Sequence, residues 1–266
     1  MTGRLLHLSD LHVGANDGDR GEIEDAVRLL STELDPELVL CSGDLSHRNR
    51  REQHERAAAF LRSLGRPLLV VPGNHDLPAL PPARFATPFV AFHRVWPEPE
   101  PGYLSGSLAV VALNSVRPLR YQRGALEVDQ LEHAASVLEA APAGALRVVA
   151  LHHHLTAAPW RTGKRSIPRR AKVLSALAAA GAELVVSGHI HQASVVASAE
   201  FLGTGQAGSG VVLATAPGLG RPRPGRHAEA CGLNVYEARG GTLRVRTYSW
   251  SGHGFIPVAD RRLSRG

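Results

Sequence analysis

A chain of 266 residues with 44% hydrophobic and 20% charged side chains has material for a sizeable core, which excludes a disordered or fibrous protein. Its formal charge of +6, carried mostly by arginine, favours anionic partners such as phosphates or nucleic acid without naming one. Two cysteines exclude a disulfide framework and fit a reducing, cytoplasmic setting.

The segment "MTGRLLHLSD" leads straight into a strand with no apolar h-region, so no signal peptide is expected. No run approaches the roughly 20 apolar residues of a spanning helix. "RLLHLS" is followed by "GEIEDAVRLLSTEL", whose Ile23, Val27, Leu30 and Leu34 fall at helical spacing. "ELVLCSG" comes next, with Cys41 as a small buried hydrophobe, then a helix carrying Phe60, Leu61 and Leu64 and ending at Gly65. "PLLVVPG" and "SLAVVALN" are strands. They precede a helix whose expected stripe is Val128, Leu131, Ala135 and Leu138. "RVVAL", the helix "RRAKVLSALAAAG" and "ELVVSG" complete a βα alternation that predicts largely parallel pairing. From about residue 193 short alternating runs take over, "GVVLATA", "GLNVYEA" and "LRVRTYSW", with "RGG" as a hairpin between the last two. This tail should add antiparallel strands to a second sheet or to the edge of the first. The chain is expected to be one domain over 1–266, with a motif-bearing βα part (1–192) and a mostly β part (193–266).

Polar side chains gather where the strands stop. Asp10 and His12 follow the first, Asp44 the second, and Asn74, His75 and Asp76 the third. His152, His153 and His154 follow "RVVAL", and His189 and His191 follow "ELVVSG". Ligand sites of open α/β sheets lie beyond the carboxyl ends of strands. One such Asp would be a helix cap and one such His a structural residue. Five strand ends of metal-competent groups exceed what caps explain. Imidazole, carboxylate and amide donors without thiolate suit Mn, Fe, Zn or Co and exclude a Cys-rich structural zinc site. A carboxylate able to bridge points to two divalent ions, the arrangement that clamps in-line phosphoryl displacement. Adjacent residues of an extended segment face opposite ways, so His153 should point away from an ion held by His152, whereas His154 could lean back towards substrate.

The order Asp10-x-His12, Gly43-Asp44, Gly73-Asn74-His75-Asp76, His152, Gly188-His189-x-His191 resembles the calcineurin-like metallophosphoesterases, from residue 4 to about 260, and most nearly their bacterial class III cyclic-nucleotide phosphodiesterase branch. The resemblance implies an α/β fold, a four-layer α/β/β/α sandwich with two central mixed β-sheets. It implies that Asp10, His12 and His191 hold one metal, that Asn74, His152 and His189 hold the other, and that Asp44 bridges them. His75 would protonate or stabilise the leaving group, with Asp76 orienting its ring, while a hydroxide bridging the metals attacks a phosphodiester or phosphomonoester. Leu155 after the histidines departs from the proline many relatives carry there, which bears on the local loop shape. Asn114 and Ser115 end another strand and match no ligand position.

"PWRTGKRSIPRR" lies on a loop at the same end of the sheet, where His154, Arg161 and Arg165 are candidate substrate contacts, beside Lys164, Arg169, Arg170 and a stacking Trp160. Arg221, Arg223, Arg226 and His227 form a second basic patch, and either patch also reads as a solvated loop. The expected partner is a small phosphorylated substrate, a cyclic nucleotide among them. Nucleic acid is the lesser candidate, no membrane span is expected, and a homodimer is allowed. The competing functions are a repair exonuclease, against which stands the lack of a coiled coil or DNA-binding module, and a non-catalytic metal or nucleotide binder, against which stands the complete motif set.

Overall fold

Two six-stranded sheets face each other in the computed structural model, which describes residues 3–15, 17–98, 100–156, 158, 160, 163–197, 210–220 and 229–265. The first sheet holds three parallel strands from the start of the chain and, on one side of them, three antiparallel strands from its end, of which β11 (Thr242–Trp250) and β12 (Phe255–Ser264) are the outer two. The second sheet holds the six strands between. In the first, β1 (Gly3–Leu8), β2 (Leu38–Cys41) and β3 (Leu68–Val70) are parallel, and β10 (Gly232–Arg239) joins β1 antiparallel. In the second, β5 (Leu108–Leu113), β6 (Leu146–Leu151), β7 (Leu184–Ser187) and β9 (Val212–Thr215) are parallel, with β4 (Gly102–Leu104) and β8 (Ser194–Ala197) antiparallel at the edges.

The parallel strands read as unbroken apolar runs because both of their faces are covered. Leu6, Leu8, Val39 and Cys41 pack outward on Ile23, Val27, Leu30 and Leu34 of α1 (Arg20–Leu34) and on Phe60 and Leu61 of α2 (Arg51–Ser63). Leu5, Leu38 and Leu40 point the other way, into a layer shared with Leu108, Val110, Val148 and Leu184 of the second sheet. Beyond the short helices α3 (Ala83–Ala86) and α4 (Val90–His93) in the chain, Val111, Leu113, Val149 and Leu151 meet Ala134 and Leu138 of α5 (Val128–Glu139) and Val173, Leu174 and Leu177 of α6 (Arg170–Ala179). Strand period 2 thus separates three apolar layers and yields the α/β/β/α order. The expected fold class holds.

Gly65 takes the left-handed conformation (φ 65°) after α2, as a C-terminal cap requires. Cys41 and Cys231 are free and buried. No helix among the described residues is long and apolar enough to cross a membrane.

Two expectations are corrected, and one further strand lies outside them. The buried face of α5 is Gln130, Ala134 and Leu138, while Val128 is exposed. Gln130 earns its place through hydrogen bonds, donating from Nε2 to the Asn114 carbonyl (3.0 Å) and accepting the Glu127 N–H (3.0 Å). The tail feeds both sheets rather than one, and β9 joins it parallel to β7. β12 (Phe255–Ser264) extends the first sheet after β11 (Thr242–Trp250) although "FIPVADRRLS" shows no alternation, because this edge strand is exposed along most of its length and no core imposes a period.

Leu108 is fully buried between the sheets, so Leu108→Ala should lower unfolding free energy by about 3 kcal/mol in urea titrations. Leu119→Ala, at a residue 87% exposed, should change it by less than about 0.5 kcal/mol.

Candidate metal centre

The turns leaving β1, β2, β3, β6 and β7 converge on one buried point. Backbone bonds lace them together: Asp10 N–H donates to the Gly43 carbonyl and His12 N–H to the Asp44 carbonyl, both at 2.9 Å. The two sheets are tied by His189 N–H, which donates to Asp10 Oδ2 (2.9 Å), and by Gly188 N–H, which donates to the His152 carbonyl (3.1 Å). Two motif glycines allow this approach. A Cβ on Gly73 would lie 2.2 Å from Asp44 Oδ1, and one on Gly188 would lie 1.8 Å from Ser9 Oγ.

Asp10, His12, Asp44, His189 and His191 all have φ between 46° and 71°. Asp35, Asn49 and Arg169 complete the non-glycine residues of positive φ among those described. Left-handed backbone costs an L-residue on the order of 1 kcal/mol or more and persists where the surroundings enforce it. Its concentration on these five residues marks the point at which the fold holds side chains against local preference.

The side chains form two groups with Asp44 between them. In one, His191 Nε2 lies 3.0 Å from Asp10 Oδ1 and 3.1 Å from His12 Nε2. In the other, His152 Nε2 lies 3.2 Å from both Asn74 Oδ1 and His189 Nδ1. Asp44 turns Oδ2 towards His12 Nε2 (3.6 Å) and Oδ1 towards His152 Nε2 (3.5 Å), while Oδ1 accepts the His75 N–H (2.7 Å).

Outer contacts fix which nitrogen of each ring faces inward. His152 Nδ1 donates to the Ser42 carbonyl (2.7 Å) and His189 Nε2 to the Gln122 carbonyl (3.0 Å), since a carbonyl only accepts. Each ring thus turns its second nitrogen inward, and His152 Nε2 and His189 Nδ1 face each other. Burial pushes the His189 imidazole well below its usual range, assisted by the charge of Lys164, and burial likewise depresses His12. Burial opposes ionisation of the carboxylates, but the surrounding imidazoles outweigh it, holding Asp44 down to about 2 and Asp10 well below the usual range. Asp10 Oδ1 and Asp44 Oδ2 accept no hydrogen bond among the described residues. Deprotonated donors, orphaned carboxylate oxygens and separations near 3 Å match what ligands around a shared divalent cation require. The residues fit two such cations: Asp10, His12 and His191 group together, as do Asp44, His152 and His189.

The other expected residues sort as follows. His75 is at the mouth, with its Nδ1 donating to the His47 carbonyl (3.0 Å). Asp76 makes no bond to that ring; its carboxylate accepts from the backbone N–H groups of Leu45, Ser46 and Gly73 and from the Ser46 hydroxyl, so it shapes the turn. His153 does turn away from the centre, towards Ser115 Oγ (3.0 Å) and the Tyr121 carbonyl (3.3 Å). His154 is buried and stacked on His189 at 5.8 Å, so it backs a candidate ligand rather than opening to substrate. Lys164 donates to the His189 carbonyl, and Arg165 and Trp160 are exposed. Arg161 and the 221–227 patch lie outside the described residues.

Four residues at the site carry no motif signal. Glu229 Oε2 approaches His191 Nδ1 (3.7 Å) and orients its other nitrogen inward, a role the ligand spacing does not reveal. His47 stacks on His75 at 5.8 Å. The Arg84 guanidinium lies 4.4 Å over the Tyr121 ring, which stands 6.4 Å from His75. His47 alone could have been suspected, from "SGDLSH".

Comparison with known proteins agrees with this geometry. A model of the calcineurin-like phosphoesterase family matches residues 3–193, a span that holds every candidate ligand. A probable cyclic nucleotide phosphodiesterase of Synechococcus sp. is 35% identical over 98 residues, 36% of this chain and 35% of that protein. The glycerophosphodiester phosphodiesterase GpdQ of Enterobacter lignolyticus is 34% identical over 80 residues, 27% of this chain and 29% of that one. These alignments span about a third of the relatives' length. A dimetal phosphatase from Danio rerio shares the fold across 99% of both chains, with a TM-score of 0.67 and 14% identity.

Buried neutral imidazoles make the metal-free protein acid-sensitive. Burial lowers His7 to about 3 and His154 to about 4, from 6.5 when exposed. Between those values the unfolded chain binds the extra protons, so stability is complete above pH 6.5 and declines as pH falls. Urea titrations should show a loss on the order of 2 kcal/mol between pH 6 and 5, and a flat profile would contradict the burial of these rings.

Proposed function

The chain belongs to the calcineurin-like phosphoesterase family, and from that premise we propose that it is a phosphoric ester hydrolase using two divalent cations to cleave small phosphodiesters. One observation carries the reading. His152 Nε2, His189 Nδ1, Asn74 Oδ1 and Asp44 Oδ1 converge in a buried space, and the other nitrogen of each imidazole donates to a carbonyl outside it. Imidazole, amide and carboxylate donors converging on one buried point suit a divalent cation.

Asp10, His12 and His191 would hold one cation, Asn74, His152 and His189 the other, and Asp44 would serve both through its separate oxygens. When bound, such a pair neutralises phosphate oxygens and acidifies water for attack at neutral pH. His75 supplies the remaining function. Its Nδ1 is committed to the His47 carbonyl, so Nε2 is the atom left to carry a proton to the leaving-group oxygen. His75 is tethered by its own N–H to Asp44, which keeps acid and metal site in register. Arg84 and Tyr121 form a cationic and aromatic wall beside it, suited to an anionic substrate with a planar group. The phosphodiesterase names of the two partial relatives support a diester, and a cyclic nucleotide is the first candidate. Pairing of β10 with β1 makes the 1–192 and 193–266 parts one catalytic unit in this reading. The free, buried cysteines support a reducing, cytoplasmic setting.

Protein loaded with Mn²⁺ should hydrolyse bis-p-nitrophenyl phosphate, and a panel of 2′,3′- and 3′,5′-cyclic nucleotides beside single-stranded DNA should favour the former. Absence of turnover with every divalent metal tried would overturn the proposal. His75→Ala should keep both Mn²⁺ equivalents and lose about 10²- to 10⁴-fold in rate, most with poor leaving groups. Metal loss equal to that of Asp44→Ala would reassign His75 as a ligand.

A further inference from the structure

Asp10 uses its two oxygens differently. Oδ1 faces His191 and accepts no hydrogen bond among the described residues, whereas Oδ2 accepts from Ser9 Oγ (2.6 Å) and His189 N–H (2.9 Å). The Ser9 contact is the end of a longer path. Ser42 Oγ donates to Ser9 Oγ (2.8 Å), and His7 Nε2 lies 2.8 Å from Ser42 Oγ. His7 Nδ1 lies 3.1 Å from the Tyr236 hydroxyl, which accepts from Asn234 Nδ2 (3.1 Å). Asn234 Oδ1 in turn accepts from Thr247 Oγ1 (2.9 Å). Ser9, Ser42, His7, Tyr236 and Asn234 are fully buried.

The direction of every bond follows from the two ends. A carboxylate only accepts, so Ser9 donates to Asp10 and takes its own bond from Ser42. Ser42 has then spent its hydrogen, so the proton between it and His7 sits on Nε2. A neutral His7 therefore accepts at Nδ1, and Tyr236 is the donor there. Tyr236 has one hydrogen, and its oxygen accepts from the Asn234 amide. All six bonds point one way, from β11 towards the carboxylate, and bonds in such a series polarise one another.

We propose that His7, Ser42 and Ser9, driven from Tyr236 and Asn234 on β10, form a one-directional hydrogen-bond chain that positions Asp10 and turns its Oδ1 towards the cation. These are positioning residues, since their side chains reach the centre only through Asp10; the separate bond from His152 Nδ1 to Ser42 uses the backbone carbonyl, which a side-chain substitution leaves in place. Tyr236 and Asn234 lie outside the span matched by the family model, so the late β strands contribute to the metal site without supplying a ligand. Cations with hydrogen-bonded ligands typically lose 10- to 100-fold in affinity when such a partner is removed. The inference rests on the two-cation reading above.

The test is calorimetric titration of metal-free protein with Mn²⁺. His7→Leu removes both ring nitrogens, Ser42→Ala breaks the chain with a small change of volume, and His7→Gln keeps a donor near the Nε2 position. The wild type should show two binding steps. His7→Leu and Ser42→Ala should each weaken one step about tenfold and leave the other in place, and His7→Gln should restore most of the loss. The double variant should bind no more weakly than either single, because one broken link already interrupts the series. Wild-type affinity in both single variants would overturn the chain while leaving the two-cation reading intact. So would weakening of both steps in proportion to lost thermal stability, which is what a purely structural role produces. A wild-type protein that takes up no Mn²⁺ would overturn the two-cation reading itself and this inference with it.

Discussion

Polar side chains crowded at the carboxyl ends of five strands organise this molecule. Within one buried volume stand Asp10, Asp44, the amide oxygen of Asn74 and inward-facing nitrogens of four histidines, several within 3.2 Å of one another. Left alone, such a cluster would repel itself and cost several kcal/mol in desolvation. The protein maintains it by holding five of the residues in left-handed backbone and by committing the outer nitrogens of His152 and His189 to carbonyls. Strain stored at such a site is tolerated when the scaffold is rigid and the function depends on it.

The two sheets supply that rigidity. Their shared apolar layer brings the carboxyl ends of β1, β2 and β3 against those of β6 and β7, so neither sheet contains a complete site. Cross-sheet bonds from His189 and Gly188 lock the halves at the site itself. Polar groups next to the centre then take on support. Asp76 shapes the turn before β3's loop returns, His153 pins the 115–124 segment, and Glu229 reaches His191 from the late part of the chain. Proximity to a metal-binding motif is therefore a poor guide to which residue does chemistry. Asp76 is adjacent to His75 in sequence, and the His47 carbonyl holds the ring instead.

Local pattern in the sequence determined the alternation of strands and helices and the placing of the candidate ligands after strands, whereas the four-layer order was implied by the family resemblance. Apolar runs with both faces covered and helical stripes at period 3.6 are local patterns, and α1 buries the four residues its spacing indicates. Polar residues directly after strands are equally local, and strand direction gathers them at one end. Where the pattern and a competing polar demand disagreed, the pattern failed. Gln130 occupies the buried face of α5 because its amide satisfies the backbone around Asn114, which no periodicity encodes. β12 escaped because an exposed edge strand has no buried side to alternate with.

Only the tertiary structure decided how the three consecutive histidines divide their work, which carboxylate oxygen is left bare, and which remote groups stand behind Asp10. Each of these depends on the direction of a hydrogen bond between segments far apart in the chain, as between His7 and Tyr236 or His152 and Ser42. Spacing along a strand specifies which face a side chain takes. The partner waiting on that face, and whether it can only accept, is fixed when the sheets pack.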